Sequence, residues 1–326
     1  MANKTINKQI IAITGATATG KSKLALNLAE ELIKKKYAQR VFLLSVDSRQ
    51  VYQGLETLTA ADIPHGWRIN EKNPHRYFTH PQLAISLHGV SIIPIWHEWS
   101  PAHLQKLYTE IKEQLKENDF LILVGGTGFY HRQINQPATT LFIQPNLALR
   151  QELNKKSPAS LQEKLKQIDP EKFASMNQSD INNPRRLIRA IEIAKATTNI
   201  NEQQQTKTQK IENLINIHLI LDKKIQEDRI KRRIQERFQE AIHEVKACLH
   251  QFKLSMELPA TSAIGFKEIL NHLDQQLSAK EALLAWQRVE IQYTKRQNTW
   301  WKKNKDLINF AADDPQLLTK VLKLVL

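Results

Sequence analysis

Residues 9–22 read Gln9-Ile-Ile-Ala-Ile-Thr14-Gly15-Ala16-Thr17-Ala18-Thr19-Gly20-Lys21-Ser22, an apolar, β-branched run that breaks into a glycine-bounded loop. A short apolar run without alternation is the pattern of a strand buried on both faces of a parallel sheet. Lys21 to Lys36 then carries Leu24, Leu28, Leu32 and Ile33 at helical spacing. Its basic residues lie at the C-terminal end, where the helix dipole favours cations. Strand, loop and helix in this order make Gly15-x-x-x-x-Gly20-Lys21-Ser22 a phosphate-binding loop. Its glycines let backbone N–H groups curl round an oxyanion, Lys21 reaches terminal phosphate oxygens, and the Ser22 hydroxyl can hold Mg²⁺. Gly15, Ala16, Thr17, Ala18, Thr19, Gly20, Lys21 and Ser22 are therefore the candidate pyrophosphate site, with Ser22 the candidate metal ligand. The motif specifies a pyrophosphate or polyphosphate, not ATP in particular.

Outward from this loop the pattern repeats. Val41 to Val46 and Phe120 to Val124 are further buried-strand candidates, and each runs into polar or Gly-rich chemistry at its C-terminal end, where ligands of α/β sheets bind. Ile215 to Leu221 is a fourth, arriving late. Between them, residues 141–205 show helical patterns broken at Asp-Pro and Asn-Pro, with no strand signal. The expected fold class is thus α/β: a P-loop NTPase-like parallel sheet core flanked by helices, with an inserted all-helical domain. Residues 1–140 form the first part of the core, 141–205 the insertion, and 206–326 the second part of the core with basic C-terminal helices such as Ile225 to Phe252 and Glu281 to Trp300. Asn199 to Gln209 is polar and reads as a linker.

Composition narrows the partners. The 326 residues carry a formal net charge of +14, which suggests a polyanion, since clustered Lys and Arg release counterions from phosphates. Composition does not choose among RNA, DNA and a membrane surface. Cys248 is the only cysteine, so an intramolecular disulfide is excluded and a reducing compartment is the natural setting. The first nine residues have no apolar signal core, and no apolar run reaches the eighteen or so residues of a membrane span. A cytoplasmic monomer is the expectation, with no membrane association.

Several segments carry chemistry beside a plainer role. Asp47, in Ser45-Val-Asp-Ser-Arg-Gln-Val-Tyr52, is either a general base near the loop, if the first two strands adjoin, or a turn cap. Gly125-Gly-Thr-Gly128 is a turn that permits close backbone approach to a ligand. No Walker B acid ends that strand, which argues against a motor-type ATPase. Arg185 to Arg189 is an RNA-contacting stretch or a solvated helix face. Trp300 and Trp301, beside Lys295 and Arg296, stack on bases or fill the core. The histidines at 65, 75, 80, 88, 97 and 103 have irregular spacing and read as surface residues rather than a metal site.

With these residues in hand, the chain resembles the tRNA dimethylallyltransferases (IPP transferases). The P-loop with Thr17, Ser45 to Tyr52, Leu123 to Tyr130, Asn183 to Glu192, Arg233 to Phe238, Ala263 to Glu268 and Tyr293 to Trp300 follow in the family's order. The resemblance implies transfer of a dimethylallyl group from dimethylallyl pyrophosphate to the N6 amine of the adenosine next to the anticodon in tRNA. Mg²⁺ is the implied cofactor and the anticodon stem-loop the implied partner. It also implies catalytic roles for Asp47 as general base and for Thr17 and Arg237 on the departing pyrophosphate. Asp47, Ser48, Arg49, Gln50, Gly128, Arg185, Arg186, Leu187, Ile188, Arg189, Ser262, Ala263, Ile264, Gly265, Phe266 and Lys267 fall where the family contacts tRNA.

Three segments depart from the family pattern. Leu58-Thr-Ala-Ala-Asp62 lacks a lysine, Pro74 to Trp99 is longer and rich in His and Trp, and Ala241 to Val245 is shortened. Three other readings stay open: an adenylate dimethylallyltransferase acting on free nucleotide, a P-loop nucleoside or nucleotide kinase, and a non-catalytic RNA-binding relative. The net charge and the arginines at 185, 186 and 189 favour RNA over a free nucleotide. A kinase would need a base pocket and an Arg-bearing lid that the sequence does not display.

Overall fold

A computed structural model describes residues 9–71, 75–197, 210–252 and 258–326. The expected linker at Asn199 to Gln209, and Pro74, lie outside the described residues. The chain divides into two compact units, Met1–Asn135 with Ile211–Leu326, and Gln136–Lys210.

The first unit begins with β1 (Gln9–Gly15), α1 (Lys21–Lys34), β2 (Arg40–Ser45), α2 (Glu56–Thr59), β3 (Arg68–Asn70), β4 (Tyr77–Thr79) and β5 (Ile85–His88). It continues with α3 (Pro101–Gln114), β6 (Asp119–Gly125) and α4 (Gly128–Asn135). The second unit holds α5 (Leu147–Leu153), α6 (Pro158–Ile168), α7 (Pro170–Ser175), α8 (Gln178–Ile181) and α9 (Pro184–Thr197). The first unit then resumes with β7 (Ile215–Ile220), α10 (Lys223–Phe252), α11 (Phe266–Leu273), α12 (Ala279–Trp301), β8 (Ile308–Ala311) and α13 (Leu317–Val325).

One eight-stranded sheet runs β3-β4-β5-β2-β6-β1-β7-β8. It is parallel from β5 to β8, with antiparallel pairs only at β3–β4 and β4–β5. The first two strands do not adjoin: β6 lies between them, pairing Ile13 with Val124 on one side and Leu44 with Leu123 on the other. Parallel neighbours need long crossovers, so chain order and spatial order part company here. The residues that follow β2 and β6 nevertheless emerge at the same edge as the P-loop.

Alternate strand residues bury opposite faces. Ile11, Ile13, Val41, Leu43, Phe120 and Ile122 pack with Leu24, Leu28 and Leu32 of α1 and Val321 and Val325 of α13. On the other side, Ile10, Ala12, Phe42, Leu44, Leu121 and Leu123 join Leu104 and Ile111 of α3, Ile234 and Phe238 of α10, and Trp286 of α12. Both faces are covered, which explains strands that are apolar throughout.

The helical unit has its own core of Leu149, Leu153, Leu161, Leu165, Leu187, Ile188 and Ile191. Its breaks are caps: Asn146, Ser157, Asp169 and Asn177 each accept from the third residue onward, and Pro158 and Pro170 open their helices. The buried Glu192 carboxylate accepts from Arg150 Nε at 2.7 Å and from the Asn146 N–H at 2.9 Å. These bonds hold its carboxyl below the usual range against the opposing effect of burial, the largest single influence.

Candidate active site

The loop after β1 closes through Gly20, whose φ of 87° is left-handed and suits glycine as it enters α1. Thr19 is buried and donates to the Ala16 carbonyl at 2.9 Å, and Lys21 Nζ donates to the same oxygen at 2.8 Å. The loop is also gripped from the C-terminal helices. Gln297 of α12 accepts the Thr17 N–H at 2.9 Å and donates to the Gly126 carbonyl at 3.2 Å, while Gln226 of α10 donates to the Thr17 carbonyl at 2.8 Å.

Asp47 follows β2 and is firmly oriented. Its Oδ1 accepts the Arg49 N–H at 2.7 Å and the Gln50 N–H at 3.3 Å, and its Oδ2 accepts the Thr127 hydroxyl at 3.3 Å. The turn-cap geometry is therefore real, and it leaves Oδ2 turned towards the loop after β6. Arg49 donates to the Pro259 carbonyl at 2.7 Å, and Gln50 bridges Ser45 and the Ala60 carbonyl, each at 2.8 Å.

A cavity of about 820 Å³ joins these parts. Thr17, Ala18, Lys21 and Ser22 line it from the P-loop, and Asp47, Ser48, Arg49 and Gln50 from the end of β2. Arg233 and Arg237 of α10, Glu290, Tyr293 and Gln297 of α12, and Ser262, Ala263 and Ile264 line it further. The Arg237 guanidinium pairs with Glu290 at 2.9 Å, while its Nε and Nη1 are buried without hydrogen-bond partners, as is Nε of Arg233. Burial lowers Arg237 to about 10 despite Glu290, and burial followed by Arg233 lowers Lys21 to about 8. Three cations thus crowd a part-buried wall with donors to spare. A group that relieves both the crowding and the unmet donors is a multiply charged oxyanion.

Sequence reasoning brings together Thr17, Lys21, Ser22, Asp47 and Arg237, and all five line the cavity. Arg233, Glu290, Tyr293 and Gln297 also line the cavity without being expected as site residues, although Arg233, Tyr293 and Gln297 stand in the family motifs; the only signal for them in the sequence is a polar residue on an otherwise packed helical face. Other expected contacts lie elsewhere. Gly128 is buried under the half-buried Trp300 ring, and Trp301 is buried against His131 and His218, so Trp301 is core rather than a base platform. Gly265 and Phe266 are buried and outside the cavity lining, and Lys267 is exposed.

In the helical unit, Leu187 and Ile188 are core residues, so their side chains cannot serve as RNA contacts: helical periodicity turns them inward as it turns Arg185 and Arg186 outward. Arg186 pairs with Asp180, and Arg189 donates to the Ile143 carbonyl at 2.8 Å and pairs with Glu192 at 3.4 Å. Glu244, in the shortened segment, accepts the N–H groups of Thr57 and Leu58 at 2.7 and 2.8 Å, which ties α10 to the cavity-lining segment that contains Leu58.

Comparison with known proteins gives the family. The family model described as IPP transferase matches residues 50–304. The tRNA dimethylallyltransferase of Acaryochloris marina is 30% identical over 323 residues, spanning 96% of each protein. That of Halalkalibacterium halodurans is 28% identical over 327 residues, 98% of this chain and 96% of the relative. The solved structure of the full-length tRNA isopentenylpyrophosphate transferase from Bacillus halodurans superposes with a TM-score of 0.63 at 28% identity, covering 97% of this chain and 95% of that one. A eukaryotic dimethylallyltransferase acting on tRNA shares the fold, with a TM-score of 0.71 at 20% identity, over 94% of this chain and 74% of that one.

Proposed function

The chain belongs to the IPP transferase family, and on that premise we propose that it transfers the dimethylallyl group of dimethylallyl pyrophosphate to the N6 amine of the adenosine next to the anticodon in tRNA. The observation that carries this reading is one cavity lined both by an oriented carboxylate, Asp47, and by the cations Lys21, Arg233 and Arg237. Alkylation of an amine by an allylic pyrophosphate needs both: a base for the amine proton and positive charge for the leaving group.

Asp47 Oδ2 accepts the N6 proton as the nitrogen forms its bond to the allylic carbon and the carbon–oxygen bond to pyrophosphate breaks. Negative charge grows on the pyrophosphate, where Lys21, Thr17 and Arg237 receive it. Charges fixed beforehand at that point stabilise the transition state more than the bound donor. The Ser22 hydroxyl lines the same wall, and among the described residues no three His, Cys, Asp or Glu side chains form a metal cage. Such sparse protein ligation fits Mg²⁺, which keeps several waters and takes phosphate oxygens from its substrate. When bound, the ion would add positive charge at the pyrophosphate.

The anticodon stem-loop presents its adenine in a single strand, where unstacking costs little. Arg185 and Arg186, on the polar face of α9, are the proposed phosphate contacts of the helical unit. No helix among the described residues is long and apolar enough to cross a membrane. We place the chain in the cytoplasm as a monomer.

The test offers labelled dimethylallyl pyrophosphate with unmodified tRNA, AMP and ATP as parallel acceptors, with and without Mg²⁺. Label in tRNA alone is the expected result, and label in a free nucleotide would replace the acceptor.

A further inference from the structure

Thr127 sits immediately before α4, at the position where a threonine hydroxyl ordinarily accepts an N–H from its own helix. Here it donates away from the helix, to Oδ2 of Asp47 at 3.3 Å. The Thr127 backbone carbonyl already accepts from Tyr130 and His131 at 2.9 and 3.2 Å, so the first turn closes without the side chain. The chain just before it is anchored in turn: the Gly126 carbonyl accepts from Gln297 of α12 at 3.2 Å. Gln297 is the residue whose amide holds the Thr17 N–H of the P-loop.

We infer that Thr127 is a positioning residue for the transfer step, aiming Oδ2 of Asp47 at the incoming amine, with Gln297 tying the loop that carries it to the P-loop. The two oxygens of Asp47 are not equivalent. Oδ1 carries two backbone N–H bonds, which fix the plane of the carboxylate but not the acceptor direction of its second oxygen. Oδ2 has one protein donor, the Thr127 hydroxyl, and keeps acceptor capacity for a substrate proton. Because Gln297 reaches Thr17 and Gly126 together, a shift of the pyrophosphate-binding loop is transmitted to the acceptor side of the site. The distance between the base and the pyrophosphate-binding loop is thereby held by protein bonds. Misplacement of reacting groups by about 1 Å costs on the order of 100-fold in rate, which sets the scale of the effect.

The inference rests on Asp47 being the base, and the test keeps the two apart. Single-turnover transfer to tRNA, with both substrates saturating, is measured for wild type, Asp47→Asn, Thr127→Val and Thr127→Ser, alongside tRNA affinity and thermal midpoint. The expected pattern is near-complete loss in Asp47→Asn, a loss of about 10- to 100-fold in Thr127→Val, and recovery in Thr127→Ser. tRNA affinity stays constant throughout. An inactive Asp47→Asn with a wild-type rate in Thr127→Val would overturn the positioning role alone. An active Asp47→Asn would overturn the base assignment beneath it. A Thr127→Val variant that loses only thermal stability, at an unchanged rate, would reduce Thr127 to a helix cap.

Discussion

Arg237 lies over the Trp286 ring, its guanidinium carbon 4.9 Å from the ring centroid, while both side chains donate to the same Glu290 oxygen, at 2.9 and 3.0 Å. The guanidinium is thus held over an aromatic face with Nη2 paired to Glu290, while Nε and Nη1 stay buried without partners. This arrangement fixes a cation in place before any substrate arrives, and a lysine could not reproduce it.

Removing one partner of this buried pair leaves the other uncompensated, at a cost of about 3–5 kcal/mol. Arg237→Met is expected to lose stability of this order and to transfer on the order of 100- to 1,000-fold more slowly. The double variant Arg237→Met with Glu290→Met recovers the stability but not the rate. Urea unfolding and transfer assays on the three proteins check this; a double variant as unstable as the single one would break the pairing argument.

Gly265 has φ of +94°, and a Cβ there would lie 2.4 Å from the Trp286 ring. Gly265→Ala therefore combines backbone strain with overpacking, for a loss of roughly 1–3 kcal/mol. Because Trp286 shares Glu290 with Arg237, the same variant is expected to raise the KM for the prenyl donor. Thermal unfolding and donor kinetics together test this.

Lys21 supplies a pH signature. Its folded value of about 8 lies below the ordinary 10.5, so between these values the unfolded chain binds the proton that the folded chain has released. Stability of the ligand-free protein therefore rises with pH across that window. Affinity for inorganic pyrophosphate falls as pH rises through about 8, where folded Lys21 loses its charge. Calorimetric titration should show the wild-type advantage over Lys21→Met shrinking as pH rises above about 8, and a constant advantage would contradict the shift.

The arginines of α9 separate by role. Arg185 is exposed, and charge reversal there is expected to weaken tRNA binding and reduce the salt slope by about one. Arg189 braces the carbonyl of Ile143 and pairs with buried Glu192, so Arg189→Glu is expected to unfold the helical unit instead. Salt-dependent binding and circular dichroism distinguish the two.

The P-loop, α1, the long helices and Asp47 were legible because each is written in a local pattern: a motif, a 3.6-residue period, a polar residue at a strand end. The placement of β6 between β1 and β2 was not, since parallel order is decided by packing across crossovers. Strands β3, β4 and β8, of three or four residues, are too short for any period to register. Glu290, Tyr293 and Gln297 occupy one face of α12, and their part in the site comes from tertiary docking: Gln297 reaches Gly126, 171 residues earlier, and Glu290 reaches Arg237 of α10. Buried polar side chains of that kind have no signature in a single sequence.

Nucleoside analysis of tRNA after reaction with dimethylallyl pyrophosphate tests the whole reading most directly. The expected product is one N6-dimethylallyl adenosine per tRNA, adjacent to the anticodon, absent when the Asp47→Asn protein is used. Label confined to free AMP, or tRNA modified equally by wild type and Asp47→Asn, would contradict it.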